Sequence, residues 1–275
     1  MIASEYQQSN TILLQVRDVS KTFPYAAGSQ NHVVLNKVSI DIKDGEFVTI
    51  VGPSGCGKST LLNIIAGLDS PDSGSISVRG ERKASTDPGR LIIFQEGALF
   101  PWLSVLENVE FGLKLAGIPK DRQRQAAGSF IDMVQLSRFA DSYIYQLSGG
   151  MKQRVAIARA LAMNPDILLM DEPFAALDVQ TRDMLHNQLL QIHEETKKTI
   201  LFVTHNINEA LALGTRLIVL SPRLGSIKRE FAINLPRPRD VDSPDIAVIK
   251  RQILKELEAD FQFVRRENAI REAAQ

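Results

Sequence analysis

The chain has 275 residues, enough for one large domain or two small ones with a substantial core. Its 32 basic and 32 acidic residues cancel, so net charge gives no argument for nucleic acid or an anionic membrane as partner. No apolar run approaches the roughly 18 residues of a transmembrane helix, the N-terminal sequence lacks signal-peptide features, and one cysteine excludes an internal disulfide. We therefore expect a cytoplasmic protein, with any membrane association supplied by a partner.

The first third of the sequence is predicted to consist mainly of short strands and turns. Apolar alternation or continuous β-branched runs predict strands at residues 13–19, 33–35, 38–42, 46–51, 75–78 and 91–94. A helix is predicted directly after the strand at 46–51 and a glycine-rich loop, and it ends at Gly67.

The pattern becomes helical from about residue 103 to 145, and a further helix is predicted at 153–163. Apolar strands follow at 167–170, 199–204 and 217–220. Strands that alternate with helices predict an α/β fold with a mainly parallel sheet covered on both faces. The helical block lies between two strands, so we interpret it as an inserted subdomain.

The loop at 52–59 has the complete G-x-x-x-x-G-K-[ST] pattern between a strand and a helix, which is the context of a phosphate-binding loop. Backbone N–H groups and the helix N-terminus would surround the phosphates, while Lys58 reaches the outer ones and the Ser59 hydroxyl holds Mg²⁺. The residues expected to bind the nucleotide here are Gly52, Pro53, Ser54, Gly55, Cys56, Gly57, Lys58, Ser59 and Thr60. The chain is thus predicted to bind a nucleoside triphosphate with Mg²⁺.

Two adjacent carboxylates, Asp171 and Glu172, follow the apolar strand at 167–170. In phosphate-loop enzymes an acid at such a strand end holds Mg²⁺, and a second acid can polarise the attacking water. We assign Asp171 to the metal and Glu172 to the water. The alternative is an ordinary strand-end turn, since Asp-Glu-Pro is common in loops.

A second decisive segment spans Leu147–Arg154, where Ser148, Gly149 and Gly150 stand at a predicted helix start. Their hydroxyl and N–H groups could form another anion site, or Ser148 could serve only as a helix N-cap. This segment resembles the signature motif of the ATP-binding cassette family. The order of the other motifs across residues 12–235 is also similar to that of the family.

The resemblance implies a fold and a domain division. The fold is that of a RecA-like P-loop NTPase, with a mainly parallel sheet core, an antiparallel β edge and an inserted α-helical subdomain at about 97–160. Residues 12–235 would form the ATP-binding domain. Residues 1–11 would be a flexible N-terminus, and 236–275 a C-terminal helical extension with an amphipathic helix after Pro244.

The resemblance also implies roles for single residues. Phe23 would stack on adenine, with Tyr25 as the alternative. Gln95 would contact Mg²⁺ and report the nucleotide to the helical subdomain. Asp178 lies in the segment that crosses the dimer interface in the family, and His205 would be the switch histidine at the γ-phosphate.

In this family two cassettes close head to tail, so each ATP lies between one chain's phosphate loop and the other chain's Ser148–Gly150 segment. The physical reason is that charge must be stabilised on every side of the γ-phosphate, and Lys58 with Mg²⁺ covers only one side. The expected partner is a second copy of the chain or a homologous cassette, and the monomer is expected to be weakly active or inactive.

Several large apolar residues follow Gln95, where a solvated loop would be polar. They are either core packing or a docking surface, and the resemblance implies that Phe100, Pro101 and Trp102 receive a polytopic membrane permease. This segment, the Leu-Ser-Gly-Gly-Met sequence and the Leu235–Asp240 segment resemble the importer branch for nitrate, sulfonate, taurine and bicarbonate. We expect a sulfonate or taurine, or else nitrate or bicarbonate, delivered by an extracytoplasmic binding protein to a complex on the cytoplasmic face of the membrane.

Two other classes of function compete with this interpretation. A soluble cassette ATPase not coupled to transport is disfavoured because the chain has one phosphate loop and no sustained heptads. A nucleotide-binding scaffold without turnover is disfavoured by the presence of Lys58, Asp171, Glu172 and His205 together.

Overall fold

The computed structural model describes residues 11–24, 32–95, 97–223 and 225–273. Residues 1–10, which make up most of the expected flexible N-terminus, and Tyr25 lie outside this part. The strands are β1 (Ile12–Phe23), β2 (His32–Lys43), β3 (Phe47–Val51), β4 (Ser73–Val78), β5 (Glu81–Arg82), β6 (Arg90–Ile93), β7 (Ile167–Asp171), β8 (Thr199–Thr204), β9 (Arg216–Ser221) and β10 (Ser226–Ala232). The helices are α1 (Lys58–Ala66), α2 (Val105–Leu115), α3 (Lys120–Met133), α4 (Gly149–Ala162), α5 (Val179–Thr196), α6 (Ile207–Leu213) and α7 (Pro244–Ala273).

The chain divides into two compact units. The first unit combines the chain up to Asp87 with the chain from Thr199 onward, and the second spans Pro88–Lys198.

The first unit contains the strands that carry the glycine-rich loop. Strand β3 pairs in parallel with β8 on one side and β9 on the other, and β10 adds an antiparallel edge to β9. All five residues of β3 are buried, as its apolar and β-branched sequence predicts for a central parallel strand. The sequence does not predict β10, because its Lys228-Arg229-Glu230 run is typical of a surface segment. Charged residues of this kind are common on edge strands, where they prevent pairing with a further strand.

An antiparallel sheet of β2, β1, β4 and β5 forms the rest of the β structure in the first unit. The predicted strand pair at 33–35 and 38–42 is wrong, because β2 runs unbroken from His32 to Lys43. Lys37 lies at φ 48°, and the pairing with β1 is irregular. The Asn-Lys sequence in the middle thus marks a bulge rather than a turn.

The second unit contains the parallel pair β6 and β7 and most of the helices. The helical block predicted from residue 103 is confirmed as α2 and α3, followed by two short 3₁₀ turns at Ser137–Phe139 and Ile144–Gln146. Helix α4 begins at Gly149, four residues before the predicted start of the helix at 153. Its early start follows from the N-cap at Ser148.

The amphipathic helix predicted after Pro244 is present as α7. Ile246, Ile253 and Leu257 are buried against β3, β9 and β10 in one apolar cluster of the first unit. Leu254, an apolar residue of the same helix, is 45% exposed. It directly follows Ile253, and residues one position apart point in directions about 100° apart on a helix.

Candidate functional site

The loop between β3 and α1 is shaped by its glycines. Gly55 and Gly57 adopt φ 78° and 97°, in the left-handed region that residues with a Cβ avoid. A Cβ on Gly57 would also lie 2.8 Å from Leu35 Cδ2, and one on Gly52 would lie 2.5 Å from the carbonyl oxygen of Leu220. Gly57 is the N-cap of α1, so no side chain competes for the first amides of the helix. Those amides are therefore available to a phosphate.

Lys58 is held inside this loop. Its side chain is buried, and Nζ donates to the carbonyl oxygens of Gly52 at 2.9 Å and Pro53 at 3.1 Å. The ammonium group is thus fixed next to the amides that would cradle a phosphate. Cys56 is also buried, which raises the pKa of its thiol and keeps it neutral at pH 7. Cys56 is therefore best interpreted as a small residue that fills space inside the loop.

His205 emerges at the same edge of the sheet as the phosphate loop. Val51 pairs with Thr204 in the parallel register of β3 and β8, so Gly52 and His205 follow neighbouring strand ends. The Asn206 side chain caps α6 by accepting from the amides of Asn208 and Glu209. The amide of Asn206 donates to Thr204 Oγ1 at 3.0 Å. His205 is therefore held between a strand end and a capped helix, and sequence reasoning missed the contribution of Asn206.

In the second unit, Gln95 and the two carboxylates are brought to one edge in the same way. Ile93 pairs with Met170 in the parallel register of β6 and β7, which places Gln95 two residues beyond the end of β6 and Asp171 at the end of the neighbouring strand β7. Glu172 adopts φ 45°, an uncommon conformation for a residue with a side chain. Backbone strain of this kind concentrates at functional sites, which supports a functional interpretation of Glu172 over a simple turn.

The Ser148–Gly150 segment begins α4 as predicted, with Ser148 Oγ accepting from the amide of Met151 at 3.4 Å. Asp178 caps α5 by accepting from the amide of Thr181 at 2.9 Å, and this hydrogen bond lowers the pKa of its carboxyl group. The two helix starts are in close contact. A Cβ on Gly150 would lie only 2.6 Å from Thr181 Cγ2.

Side chains of α4 also fix the backbone around Gln95, a feature that sequence reasoning missed. Buried Gln153 donates from Nε2 to the carbonyl of Phe94 at 3.4 Å. The Arg159 guanidinium donates to the carbonyls of Gly97 and Ala98, both at 2.9 Å. These contacts join residues about sixty positions apart, so no local sequence pattern predicts them. Gln153 and Arg159 both lie on α4, the helix that begins at the signature segment.

The Phe100–Trp102 segment combines a fixed backbone with an exposed side chain. Phe100 packs on Phe111 with ring centroids 4.4 Å apart, whereas Trp102 is 69% exposed. Buried Asn108 accepts from the amide of Phe100 and donates to its carbonyl, at 2.9 and 3.1 Å. Phe100 is thus partly core packing, whereas the side chain of Trp102 is largely exposed.

Phe23 ends β1 and is 39% exposed, with Lys21 Nζ 5.3 Å from the centre of its ring. Stacking of adenine on this ring stays a prediction. Within the described residues, no cluster of three or more His, Cys, Asp or Glu side chains could hold a metal on its own. None of the described helices is long and apolar enough to cross a bilayer.

Comparisons with known proteins agree with this geometry. A family model described as ABC transporter matches residues 35–175. The chain is 46% identical over 239 residues to the nitrate import ATP-binding protein NrtD of Synechocystis sp., covering 87% of this chain and 89% of that protein. It is 47% identical over 221 residues to the taurine import ATP-binding protein TauB of Roseobacter denitrificans, covering 80% and 82%.

A solved dimeric structure of the ATP-binding cassette MJ0796, in a post-hydrolysis state with ADP and Pi, matches with a TM-score of 0.71 and 39% identity, covering 82% of this chain and 100% of that one. The expected α/β P-loop NTPase fold is therefore confirmed. The chain belongs to the ATP-binding cassette (ABC) transporter family.

Proposed function

We propose that this chain is the ATP-hydrolysing motor subunit of an importer for a small anion or zwitterion. The observation that carries the proposal is the pairing of functional residues at strand ends: the phosphate loop with His205, and Gln95 with Asp171 and Glu172. The import functions in the names of the nitrate and taurine relatives, at 46% and 47% identity, support the transport role. The cargo would be a sulfonate or taurine, or else nitrate or bicarbonate.

The residues divide the work of hydrolysis. Amides of the phosphate loop and the ammonium of Lys58 bind and orient the phosphates, and the ring of Phe23 offers a face to adenine. Glu172 accepts a proton from the attacking water, and His205 donates a hydrogen bond to the γ-phosphate. Each group acts by holding the reactants in place and by stabilising the charge that develops at the γ-phosphate.

Mg²⁺ is the metal that fits the available donors. The Ser59 hydroxyl, the Gln95 amide and the Asp171 carboxylate are hard oxygen ligands, which suit Mg²⁺ rather than a softer metal. The described residues contain no dedicated metal cluster, in keeping with a metal that arrives with the nucleotide phosphates. When bound, Mg²⁺ would neutralise negative charge on the phosphates.

A second cassette would complete the site. Ser148, Gly149 and Asp178 are exposed and lie at the starts of α4 and α5, where N–H groups and a capping carboxylate could meet the partner. The dimeric state named for the MJ0796 cassette supports this arrangement. We infer that each ATP is enclosed by the phosphate loop of one chain and the Ser148–Gly150 segment of the other.

The membrane partner would dock at Trp102, with Phe100 and Pro101 beside it. Asn108 of α2 makes hydrogen bonds to the backbone of this segment and fixes its conformation. A movement of the docked partner would therefore be transmitted to α2. The chain would thereby be peripheral, on the cytoplasmic face of the membrane. The extracytoplasmic binding protein would act through the permease and never touch this chain.

Purification in detergent followed by an ATPase assay tests the proposal. The tagged chain should bring down a polytopic membrane subunit, and the complex should hydrolyse ATP. Glu172→Gln, which keeps the shape of the side chain but removes the base, should lower kcat by about 100-fold or more while ATP still binds. ATP hydrolysis without a membrane partner would favour the alternative, a soluble ABC ATPase.

A further inference from the structure

The segment Leu235–Asp240 connects β10 to α7, and it owes its fixed path to one guanidinium group. The Arg239 guanidinium donates hydrogen bonds to backbone carbonyls at the end of α6 and in the chain just after β10. Its bonds run to the carbonyl oxygens of Leu211 at 2.7 Å, Gly214 at 2.6 Å, Ile233 at 3.0 Å and Leu235 at 2.9 and 3.1 Å.

Two of these acceptors belong to the C-terminal end of α6. A helix leaves its last carbonyls without partners inside the helix, and α6 has only seven residues. Arg239 takes the carbonyls of Leu211 and Gly214, and Arg237 takes that of Leu213 at 3.0 Å. Cations at this end also interact favourably with the negative pole of the helix dipole. So short a helix depends on such external contacts for its position.

The bonding pattern requires a charged, planar group. Burial and the neighbouring Arg237 lower the pKa of Arg239 to about 10, which still leaves the guanidinium protonated at neutral pH. All five N–H donors are then present in a rigid fork. A lysine at the same position would supply the charge from a single nitrogen and could not reach every acceptor at once.

The other end of α6 leads to His205. Asn206 caps the helix and donates to Thr204 at the end of β8, so a shift of α6 would be transmitted to the histidine between them. The C-terminal end of α6 also lies close against β3, the strand that leads into the phosphate loop. A Cβ on Gly214 would lie only 2.7 Å from Thr49 Oγ1 of that strand.

We propose that Arg239 is a positioning residue for ATP hydrolysis, which fixes α6 at its C-terminal end and so holds His205 beside the phosphate loop. The C-terminal segment is in this sense part of the ATPase. The inference rests on the role proposed above for His205. A role confined to stability is the competing explanation, and it would affect nucleotide binding and hydrolysis alike.

The test compares Arg239→Gln and Arg239→Lys in the complex with the permease. We expect Arg239→Gln to lower kcat by about 10–100-fold, because small displacements of a catalytic group are costly. KM for ATP should stay within about threefold of the parent value, since Lys58 and its loop are untouched. Arg239→Lys should recover part of the loss in kcat, and it carries the same test if Arg239→Gln does not fold.

Arg229→Gln is the matched control. Arg229 lies in the same unit and binds Glu256 of α7 at 2.9 Å, so its replacement removes a contact of α7 and leaves the hydrogen bonds from Arg239 to α6 in place. This variant should leave kcat unchanged even if it lowers the unfolding temperature. A loss of kcat in Arg229→Gln equal to that in Arg239→Gln would overturn the proposal, because any loosening of α7 would then be enough to lower kcat.

Combination with His205→Ala separates the two explanations. If Arg239 acts through His205, Arg239→Gln should lower the residual kcat of the His205→Ala variant by less than about threefold. A full additional loss, or a parallel rise in KM, would overturn the proposal in favour of a stability role. Full activity of His205→Ala alone would instead refute the proposed role of His205, and full activity of Arg239→Gln beside an impaired His205→Ala would refute only the present inference.

Discussion

Replacing Asp260 with alanine should loosen the middle of α7, around residues 250–260, from the sheet. Asp260 is 1% exposed, and its carboxylate accepts from Ser221 Oγ at 2.7 Å and pairs with Lys228 Nζ at 3.2 Å. These two contacts join α7 to the end of β9 and to β10. The change would leave a buried hydroxyl without its acceptor and an ammonium without its counter-ion.

The magnitude follows from the burial of each partner. Breaking a fully buried ion pair costs about 3–5 kcal/mol. The Lys228 side chain is 22% exposed and also donates to the carbonyl of Glu256, so its charge keeps some solvation. We therefore expect about 3 kcal/mol for Asp260→Ala, a factor of about 150 in the opening equilibrium. Asp260→Asn keeps the acceptor for Ser221 and should cost about 1–2 kcal/mol.

Hydrogen exchange of α7 peptides, followed by mass spectrometry, measures this opening directly. Peptides covering 250–260 should lose protection by about 150-fold in Asp260→Ala. Glu258→Ala is the control, since Glu258 is exposed on the same helix. Replacement of both members of the pair by apolar residues, Asp260→Leu with Lys228→Met, should restore most of the protection. Protection within threefold of the parent in Asp260→Ala would refute the reasoning.

Three further outcomes are expected. Iodoacetamide should label Cys56 slowly at pH 7, since burial raises the pKa of its thiol, and the rate should rise about tenfold per pH unit as thiolate forms. Bound ATP should protect Cys56, and the adduct should block ATP hydrolysis by its bulk. Labelling that leaves the ATPase activity intact would count against this steric block. Ser148→Arg should lower the ATPase rate of the assembled complex by about 100-fold, whereas Ser148→Thr, which keeps the helix cap, should not. A normal ATPase rate in Ser148→Arg would exclude the Ser148–Gly150 segment from the ATP site of the partner cassette. Trp102→Ser should reduce permease recovery by about fivefold without affecting ATP binding, whereas Val248→Ser, at another exposed apolar position, should leave recovery unchanged.

The elements that sequence reasoning located well are those whose signals are local. The strand, glycine loop and helix around Lys58 lie within twenty residues of one another, and φ preference and periodicity act over that range. The signature segment also indicated the helix start at Ser148, because capping acts over a few neighbouring residues, although periodicity alone placed the helix only from residue 153. Local chemistry thus predicted the positions of the motifs.

What escaped prediction depends on distant parts of the chain. The carbonyls that Arg239 binds become neighbours only after α6 and β10 have packed. The hydrogen bonds of Gln153 and Arg159 to the backbone near Gln95 likewise need the fold of the second unit. Phe100 packs on Phe111, whereas the nearby Trp102 is exposed. The sequence could not distinguish the packed residue from the exposed one, because both are large apolar residues in a loop.

The close approach of Gly150 to Thr181 ties the starts of α4 and α5 together, and this contact restricts how relatives can vary. Threonine is β-branched and has only two common χ1 rotamers in a helix, so an added methyl group at position 150 would require Thr181 to change its rotamer or to be replaced. A larger residue at position 150 should therefore be found mainly together with a smaller one at 181. If a second cassette binds here as proposed, it meets Ser148 and Asp178 at a spacing that this contact fixes, so the spacing of the two helix starts would contribute to the selection of the partner.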